Sequence, residues 1–202
     1  MGAFVLIIET ATAACSVALL RGSEIMAQRH EVVCRGHAER LVPMIGELLG
    51  GERPDAILVD CGPGSFTGLR VGLAAAQGLA IGWGVPVHGF SSLALLVAMS
   101  GEPAAVAALH GGHGELFVQD FAGDPIAPVS PLRSLPPEAA AAVVQAELVI
   151  GPAAELLVAA RGFGRAVDVL PRAADARLLS EAFRSLPARP IYGRAPDARP
   201  SA

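Results

Sequence analysis

Lysine is absent from this 202-residue sequence, so all 15 basic side chains belong to arginine. Charged residues make up only 17% of the chain and aromatic residues 4%, whereas hydrophobic residues reach 52%. This balance excludes an intrinsically disordered chain, which has few apolar residues and much charge. The 19 acidic residues leave a net charge of −4, which argues against autonomous nucleic-acid binding because such proteins carry a basic surplus. A subunit whose partner supplies the basic surface is still compatible with this charge.

Cysteine is also scarce, and Cys15, Cys34 and Cys61 are too widely spaced for a zinc ribbon or a disulfide framework. We expect buried thiols in a reducing cytosol, and therefore a cytoplasmic protein. The apolar N-terminal run has no basic residues before it and is interrupted by Glu9 and Thr10. We therefore expect neither a secretory signal nor a membrane span.

Short β-branched runs and amphipathic stretches follow one another in the same order in both halves of the chain. The first half predicts strands over 4–8, 16–20 and 25–33, a helix over 37–49, a strand over 56–59, a helix over 67–83, a strand over 85–88 and a helix over 92–99. The second half predicts strands over 105–109, 115–121 and 126–129, a helix over 137–144, a strand over 148–150 and a helix over 153–160.

This repetition predicts an α/β fold of two duplicated βββαβα halves, which is the two-lobed arrangement of actin and the sugar kinases. We expect a first lobe over residues 1–100 and a second, compact lobe over 101–202. The C-terminal segment is expected to return toward the first lobe.

The strongest local signal is the glycine-rich loop over residues 62–68, between a predicted strand and a long predicted helix. Its spacing fits neither the P-loop, which needs lysine, nor the dinucleotide fingerprint, nor a nucleophile elbow. Two interpretations stay open. The loop is a tight turn with Ser65 or Thr67 as the helix N-cap, or it binds an anion or nucleotide at the helix N-terminus. The residues of that second interpretation are Glu9, Thr10, Gly62, Gly64, Ser65 and Thr67.

Small residues recur every four positions along the helix that follows the loop, at Gly68, Gly72, Ala76, Ala80 and Gly84. Glycine costs about 1 kcal/mol relative to alanine inside a helix, so this repetition needs a compensating reason. Close approach of another backbone is such a reason, either within the same lobe or across a subunit interface.

Four segments together resemble the TsaB family, the dimerisation subunits of the bacterial complex that forms threonylcarbamoyladenosine in tRNA. They read IETATAACSVAL, HAERLVPMI, GPGSFTGLR with its continuation VGLAAAQGLAIGWGVPVHGFSSL, and PIYGRAPDA. The likeness is dense over residues 4–99, thin over 100–185, and returns over 190–198. It implies the same two-lobed actin-like fold that the internal repetition predicts.

The resemblance implies a non-catalytic scaffold that binds the catalytic subunit TsaD through the helices of its first lobe. The ATPase TsaE joins that pair, and tRNA is reached only through the complex. We expect no cofactor in this subunit, with ATP and metal in its partners. TsaD-type metal ligands form an HxxxH pair, whereas here His37 is followed by Leu41. The interface residues implied are Leu41, Met44, Ile45, Leu48, Gly68, Arg70, Gly72, Leu73, Ala76 and Ala80.

The sequence departs from the family pattern at two places. Glu9-Thr10 replaces the usual Asp-Thr, and the segment from His110 to His113 replaces the usual Asp-Ala-Arg. An alternative function is a small-molecule kinase or ATPase of the actin-like class that uses the glycine-rich loop for phosphate. The missing lysine disfavours it, as does the lack of a second carboxylate that the sequence pairs with Glu9. Self-pairing of the free chain is left open.

Overall fold

Two β-sheets, one from each half of the chain, organise the structure, a computed structural model that describes residues 2–193. The part of the resemblance over 194–198 lies outside the described residues. The strands and helices are β1 (Phe4–Glu9), β2 (Ala14–Arg21), β3 (Glu24–Val32), α1 (His37–Leu49), β4 (Ala56–Asp60), α2 (Phe66–Trp83), β5 (Val87–Phe90), α3 (Ser92–Ser100), β6 (Ala104–His110), β7 (Leu116–Ala122), β8 (Ala127–Pro128), β9 (Arg133–Leu135), α4 (Pro137–Val143), β10 (Leu148–Ile150), α5 (Ala154–Arg161), β11 (Arg165–Val167) and α6 (Glu181–Arg184). Short 3-10 helices lie at Gly112–Gly114 and Ala173–Leu178.

The two sheets have equivalent strand orders. The first runs β3-β2-β1-β4-β5, and the second runs β8-β7-β6-β10-β11 with β9 also paired to β7. In each sheet the first three strands are antiparallel neighbours, and the last two join the sheet in parallel. This correspondence confirms the predicted duplication. The expected division at residues 100 and 101 falls in the turn between α3 and β6 and stays a prediction.

The structure differs from the sequence expectations mainly in short elements. β5 covers Val87–Phe90 rather than 85–88, and β9, β11 and α6 were not expected. Pro43 lies inside α1 at an exposed position, where it cannot donate the helical hydrogen bond to the carbonyl of Glu39.

Strand alternation sends the two faces of the first sheet into different layers. Leu6 and Ile8 of β1 pack with α1 and α2, whereas Ile7 belongs to the apolar layer between the sheets. α3 lies in that layer with its residues from Ser92 to Val97 buried, as expected for a helix that is apolar on all sides. The opposite face of the second sheet packs against α4 and α5.

After the second lobe, the chain runs back over the first. The Gln77 side chain donates to the carbonyl of Ala188 at 3.4 Å, and the Ile191 amide donates to the carbonyl of Cys61 at 2.7 Å. Gly89 pairs with Leu186 in an antiparallel bridge. The outer edge of β5 and the carboxyl end of β4 are therefore covered by backbone from residues 186–191.

Asp120 holds the end of α4 in the second lobe. Its side chain is buried, and Oδ1 accepts hydrogen bonds from the amides of Gln145 at 2.8 Å and Ala146 at 3.3 Å. Its Oδ2 accepts from the hydroxyl of Ser130 at 3.2 Å. One carboxylate thus accepts from the backbone donors of the segment that leads from α4 to β10.

We expect Asp120→Ala to lower the free energy of unfolding by about 1–2 kcal/mol, because it leaves two part-buried hydrogen bonds without their acceptor. Asp120→Asn keeps the Oδ1 acceptor and should lose less. Urea denaturation of both variants measures the difference, with the exposed Asp168→Ala as the control. Equal stability of Asp120→Ala and Asp168→Ala would contradict this role.

Candidate functional site

The glycine-rich loop between β4 and α2 packs directly on the turn that follows β1. The Ser65 amide donates to the carbonyl of Ala11 at 2.7 Å. A Cβ atom at Gly64 would overlap that same carbonyl oxygen, and one at Gly68 would overlap the carbonyl oxygen of Thr10. Glycine is therefore required here for close backbone packing.

Ser65 is the N-cap of α2, as one of the two sequence interpretations proposed. Its hydroxyl oxygen accepts from the Gly68 amide at 3.2 Å. The Thr10 hydroxyl donates to the carbonyl of Gly68 at 2.8 Å, and a Cβ atom at Gly72 would overlap that hydroxyl. The spacing of small residues along α2 thus begins as a contact with Thr10 in the same lobe.

The six residues of the anion-binding interpretation do not form one solvent-facing loop. Glu9, Thr10 and Gly62 are buried, and Glu9 brings a carboxyl group beneath the loop. Ser65 and Thr67 are exposed, and Gly64 is half-buried. Packing separates the three buried members from solvent, and the anion-binding interpretation stays a prediction. A role for Ser65 and Thr67 stays a prediction.

A second carboxyl group, that of Asp60, lies beside Glu9. The sequence alone did not indicate it. Asp60 ends β4, parallel to β1, and both side chains are fully buried. Glu9 Oε1 accepts from the Ala11 amide at 2.7 Å, and Asp60 Oδ1 accepts at 2.7 Å from both the Gly62 amide and the Ser92 hydroxyl. Among the described residues, Glu9 Oε2 and Asp60 Oδ2 have no hydrogen-bond partner.

Burial changes the acid–base properties of this pair. Desolvation, and next the charge of Asp60, raise the pKa of Glu9 well above its ordinary value. Desolvation also raises the pKa of Asp60 to about 7, against the hydrogen bonds from Gly62 and Ser92. The sequence could have indicated Asp60 through the Val-Asp pair, which ends a predicted strand shortly before the glycine-rich loop.

The expected interface residues separate into buried and exposed groups. Most of them belong to the lobe's own core, because α1 and α2 turn these side chains toward the first sheet. We therefore correct the expectation that they face a partner. The buried ones are Leu41, Met44, Ile45, Gly68, Gly72, Leu73, Ala76 and Ala80. Leu48 is half-buried and Arg70 is exposed.

The opposite sides of the same two helices are open. α1 and α2 contact each other, and their exposed residues include large apolar side chains as well as glycines. Ile81 is 84% exposed and Val42 is 56% exposed. A Cβ atom at Gly46, Gly78 or Gly82 would meet nothing within 4 Å. We define the helix face as Val42, Pro43 and Gly46 of α1 with Ala74, Gly78, Ile81 and Gly82 of α2.

A small aromatic cluster lies at the N-terminal end of α2. The Arg70 guanidinium lies 3.7 Å from the centroid of the exposed Phe66 ring, in cation–π geometry. The exposed Tyr192 ring lies 6.4 Å from that of Phe66. Arg70 precedes Ala74 of the helix face by one helical turn.

His37 ties the start of α1 to the turn between β1 and β2. Its Nε2 lies 3.0 Å from the carbonyl oxygens of both Thr12 and Ala14, so this nitrogen carries the proton and donates. Within residues 2–193, no group of three His, Cys, Asp or Glu side chains is arranged to hold a metal ion. The same range contains no helix with the length and apolarity needed to cross a bilayer.

Comparison with known proteins gives the family. The family model described as TsaD, tRNA N6-adenosine threonylcarbamoyltransferase, matches residues 24–126. The tRNA threonylcarbamoyladenosine biosynthesis protein TsaB of Escherichia coli K12 is 36% identical over 129 residues, which are 59% of this chain and 55% of that protein. YeaZ from Pseudomonas aeruginosa is 30% identical, with a TM-score of 0.78 over 95% of this chain and 100% of that one. The chain belongs to the TsaB (YeaZ) family.

As a TsaB-family member, the chain spans about half the length of the curated relatives it matches. Its fold also resembles that of the ethanolamine utilization protein EutJ from Carboxydothermus hydrogenoformans. That likeness has a TM-score of 0.52 at 13% identity over 88% of this chain and 89% of that one, and it concerns the fold alone. The two-lobed actin-like (ASKHA) fold is confirmed.

The two sides of α2 should respond differently to one added side chain. Ala76 is fully buried, so Ala76→Leu should overpack the core and cost about 1–3 kcal/mol. Ala74→Leu places the same leucine on the exposed side and should leave stability nearly unchanged. Thermal unfolding compares the two, at roughly 2–4 °C per kcal/mol for a chain of this size. A wild-type melting temperature for Ala76→Leu would contradict its burial.

Proposed function

We propose that this chain is a non-catalytic, cytoplasmic scaffold subunit in the formation of threonylcarbamoyladenosine in tRNA, and that it binds a TsaD protein through the helix face. Family membership supports the pathway, since the E. coli relative is named for that biosynthesis. The observation that supports the binding role is the helix face itself. It exposes Ile81 and Val42 on two neighbouring helices that lie within the residues matched by the family model.

The helix face has the properties that close helix packing requires. Glycines at 46, 78 and 82 have open space where a side chain would be, so a partner helix can approach their backbone. Val42 and Ile81 add apolar area, worth roughly 25 cal/mol per Å² removed from water. The neighbouring Arg70 and Phe66 add a charged and an aromatic anchor, and Arg is among the residue types enriched where binding energy concentrates.

Several features favour a scaffold over a small-molecule kinase or ATPase. The chain lacks lysine, Glu9 and Thr10 are buried beneath the glycine-rich loop, and Gly62 of that loop is itself buried. A phosphotransfer site needs its carboxylates and backbone amides to meet the nucleotide and its metal. In this proposal ATP and metal belong to TsaD and TsaE, and tRNA meets the chain only within the complex. A second copy of the chain could use the same face when TsaD is absent.

We expect Gly78→Leu to weaken binding to TsaD from the same organism at least about tenfold, or 1.4 kcal/mol, because its side chain would hold the partner helix away. The monomer should keep its stability, since the added side chain points into open space. Titration calorimetry and thermal unfolding separate the two effects. Ala159→Leu, on an exposed position of α5, is the matched control. Unchanged affinity for Gly78→Leu would overturn the assignment of the helix face.

Depletion of the protein in its native cell should lower threonylcarbamoyladenosine in bulk tRNA, because the complex loses its scaffold. Nucleoside analysis after digestion of the tRNA measures the loss. Ala159→Leu should restore the modification, whereas Gly78→Leu should restore it poorly. Unchanged modification after verified depletion would count against the proposed pathway. Restoration by both variants would count only against the helix face.

A further inference from the structure

Three polar side chains form a row across the first sheet, at the level where β1 and β4 end. Glu9 of β1 is paired in register with Ser16 of β2. On the other side, Ile8 is paired with Val59, so Glu9 and Asp60 occupy the next positions of the parallel pair. Neighbouring strands lie about 4.8 Å apart, so these side chains are adjacent on one face of the sheet.

The row faces the layer between the two lobes and is closed on that side. Two residues earlier on each strand, Ile7 and Leu58 belong to this layer. The Ser92 hydroxyl at the start of α3 donates to Asp60, and the Ala173 amide of the second 3-10 helix donates to Ser16 Oγ at 3.0 Å. The row therefore lies under two contacts that join distant parts of the chain.

The groups around the row do not neutralise two negative charges. The nearby ionisable groups are the thiols of Cys15 and Cys61 and, paired in register with Ser16, the exposed imidazole of His30. Burial, followed by the charges of Glu9 and Asp60 respectively, raises the pKa of Cys15 to about 11 and of Cys61 to about 12. Both thiols are therefore neutral at neutral pH. α3 contributes the hydroxyl of Ser92 to the row.

The second 3-10 helix and its flank bring charged residues to a neighbouring strand. Arg172 and Asp175 act electrostatically on His30 of β3, where burial and next Arg172 lower the pKa of the imidazole. Arg177 lies 4.0 Å from Asp175. These charged groups lie beside β3. The hydrogen bonds from Ala11, Gly62 and Ser92 reach Glu9 Oε1 and Asp60 Oδ1.

We propose that Glu9 Oε2 and Asp60 Oδ2 share one proton, in a carboxyl–carboxylate hydrogen bond that closes the joint between the lobes. The O–H stays on one carboxyl and donates to the other, so each oxygen that had no partner gains one. Two adjacent buried carboxylates cannot both ionise cheaply, and one shared proton halves the charge. The alternative neutraliser is a bound cation, but within the described residues no third His, Cys, Asp or Glu is arranged with these two carboxylates to hold one.

The shared proton makes stability depend on pH in a defined direction. In the unfolded chain, free Asp and Glu side chains titrate near about 4. Above that pH the folded chain holds a proton that the unfolded chain releases. The equilibrium constant for unfolding therefore rises with pH, by about tenfold per pH unit for one proton, until the folded pair itself ionises. The stabilisation is complete below about pH 4 and is lost as the pH rises through the pKa of the folded pair.

Replacing one carboxyl group of the pair by an amide supplies an N–H donor in place of the shared proton and keeps the hydrogen bonds to the other oxygen. Glu9→Gln keeps the Oε1 acceptor for Ala11 and places an N–H group toward Asp60 Oδ2. Asp60→Asn keeps the Oδ1 acceptor for Gly62 and Ser92 and places an N–H group toward Glu9 Oε2. The N–H donor favours the ionised form of the remaining buried carboxyl group, so each variant should fold and its pH dependence should end at a lower pH than that of the wild type. The exposed Glu52→Gln should follow the wild-type curve.

Denaturant unfolding of the wild type and these variants across that pH range is the first measurement. A wild-type slope that persists in both single amide variants would overturn the shared proton. The double variant Glu9→Gln/Asp60→Asn faces two N–H groups toward each other, so it should be less stable than either single variant. Equal stability of the double and single variants would show that the two oxygens do not face each other, and would also overturn the proposal.

Infrared spectroscopy of the wild-type chain provides a readout that needs no variant. At pH 6 we expect the carbonyl stretch of a protonated, buried carboxyl group, shifted in D2O. The band should be absent from the spectra of Glu9→Gln and Asp60→Asn. Absence of the band from the wild type would overturn the proposal. So would elemental analysis that finds a stoichiometric cation in the dialysed wild type and none in the single variants.

Discussion

The contact between the turn after β1 and the first turns of α2 determines much of the first lobe. Thr10 and Ala11 press their carbonyl groups against Gly68 and Gly64, and no side chain fits between these backbones. This contact fixes the rotation of α2 about its axis, and with it the side of the helix that reaches solvent. It also closes the glycine-rich loop over the end of β1. The loop is therefore held in place by packing, while its Ser65 and Thr67 are exposed at the start of the helix that follows.

Much of the fold could be predicted because its larger elements carry strong periodic signals. The bounds of α1 agree with the expected 37–49, and the repeated order of elements gave the two lobes. The side of α2 that is buried could not be predicted in the same way. Small residues recur every four positions on both sides of this helix, through Gly72 and Ala76 and again through Ala74 and Gly78. The period alone does not show which of these two sides is buried. The buried side is set by packing against Thr10, which is distant in sequence.

The carboxyl pair illustrates a second limit of sequence reasoning. Glu9 and Asp60 are 51 positions apart in the printed numbering, and only the parallel register of β1 and β4 brings them together. Short elements such as β11 and α6 have too few residues to show a period, so they form where tertiary contacts place them. Sequence reasoning therefore succeeded for Ser65, whose capping role is local, and failed for Asp60, whose role depends on strand pairing.

The return of residues 186–191 to the outer edge of β5 and the end of β4 affects the order in which the first lobe is completed during synthesis. Cys61 and Pro187 are in contact although 126 positions separate them. A ribosome releases the strands of the first lobe long before residues 186–191 emerge from its exit tunnel. During translation the outer edge of β5 therefore has no backbone partner until these residues emerge. Unpaired strand edges readily associate with other chains at this stage. Completion of the first lobe therefore follows synthesis of the second, and nascent-chain chaperones would meet the first lobe before its last contacts form.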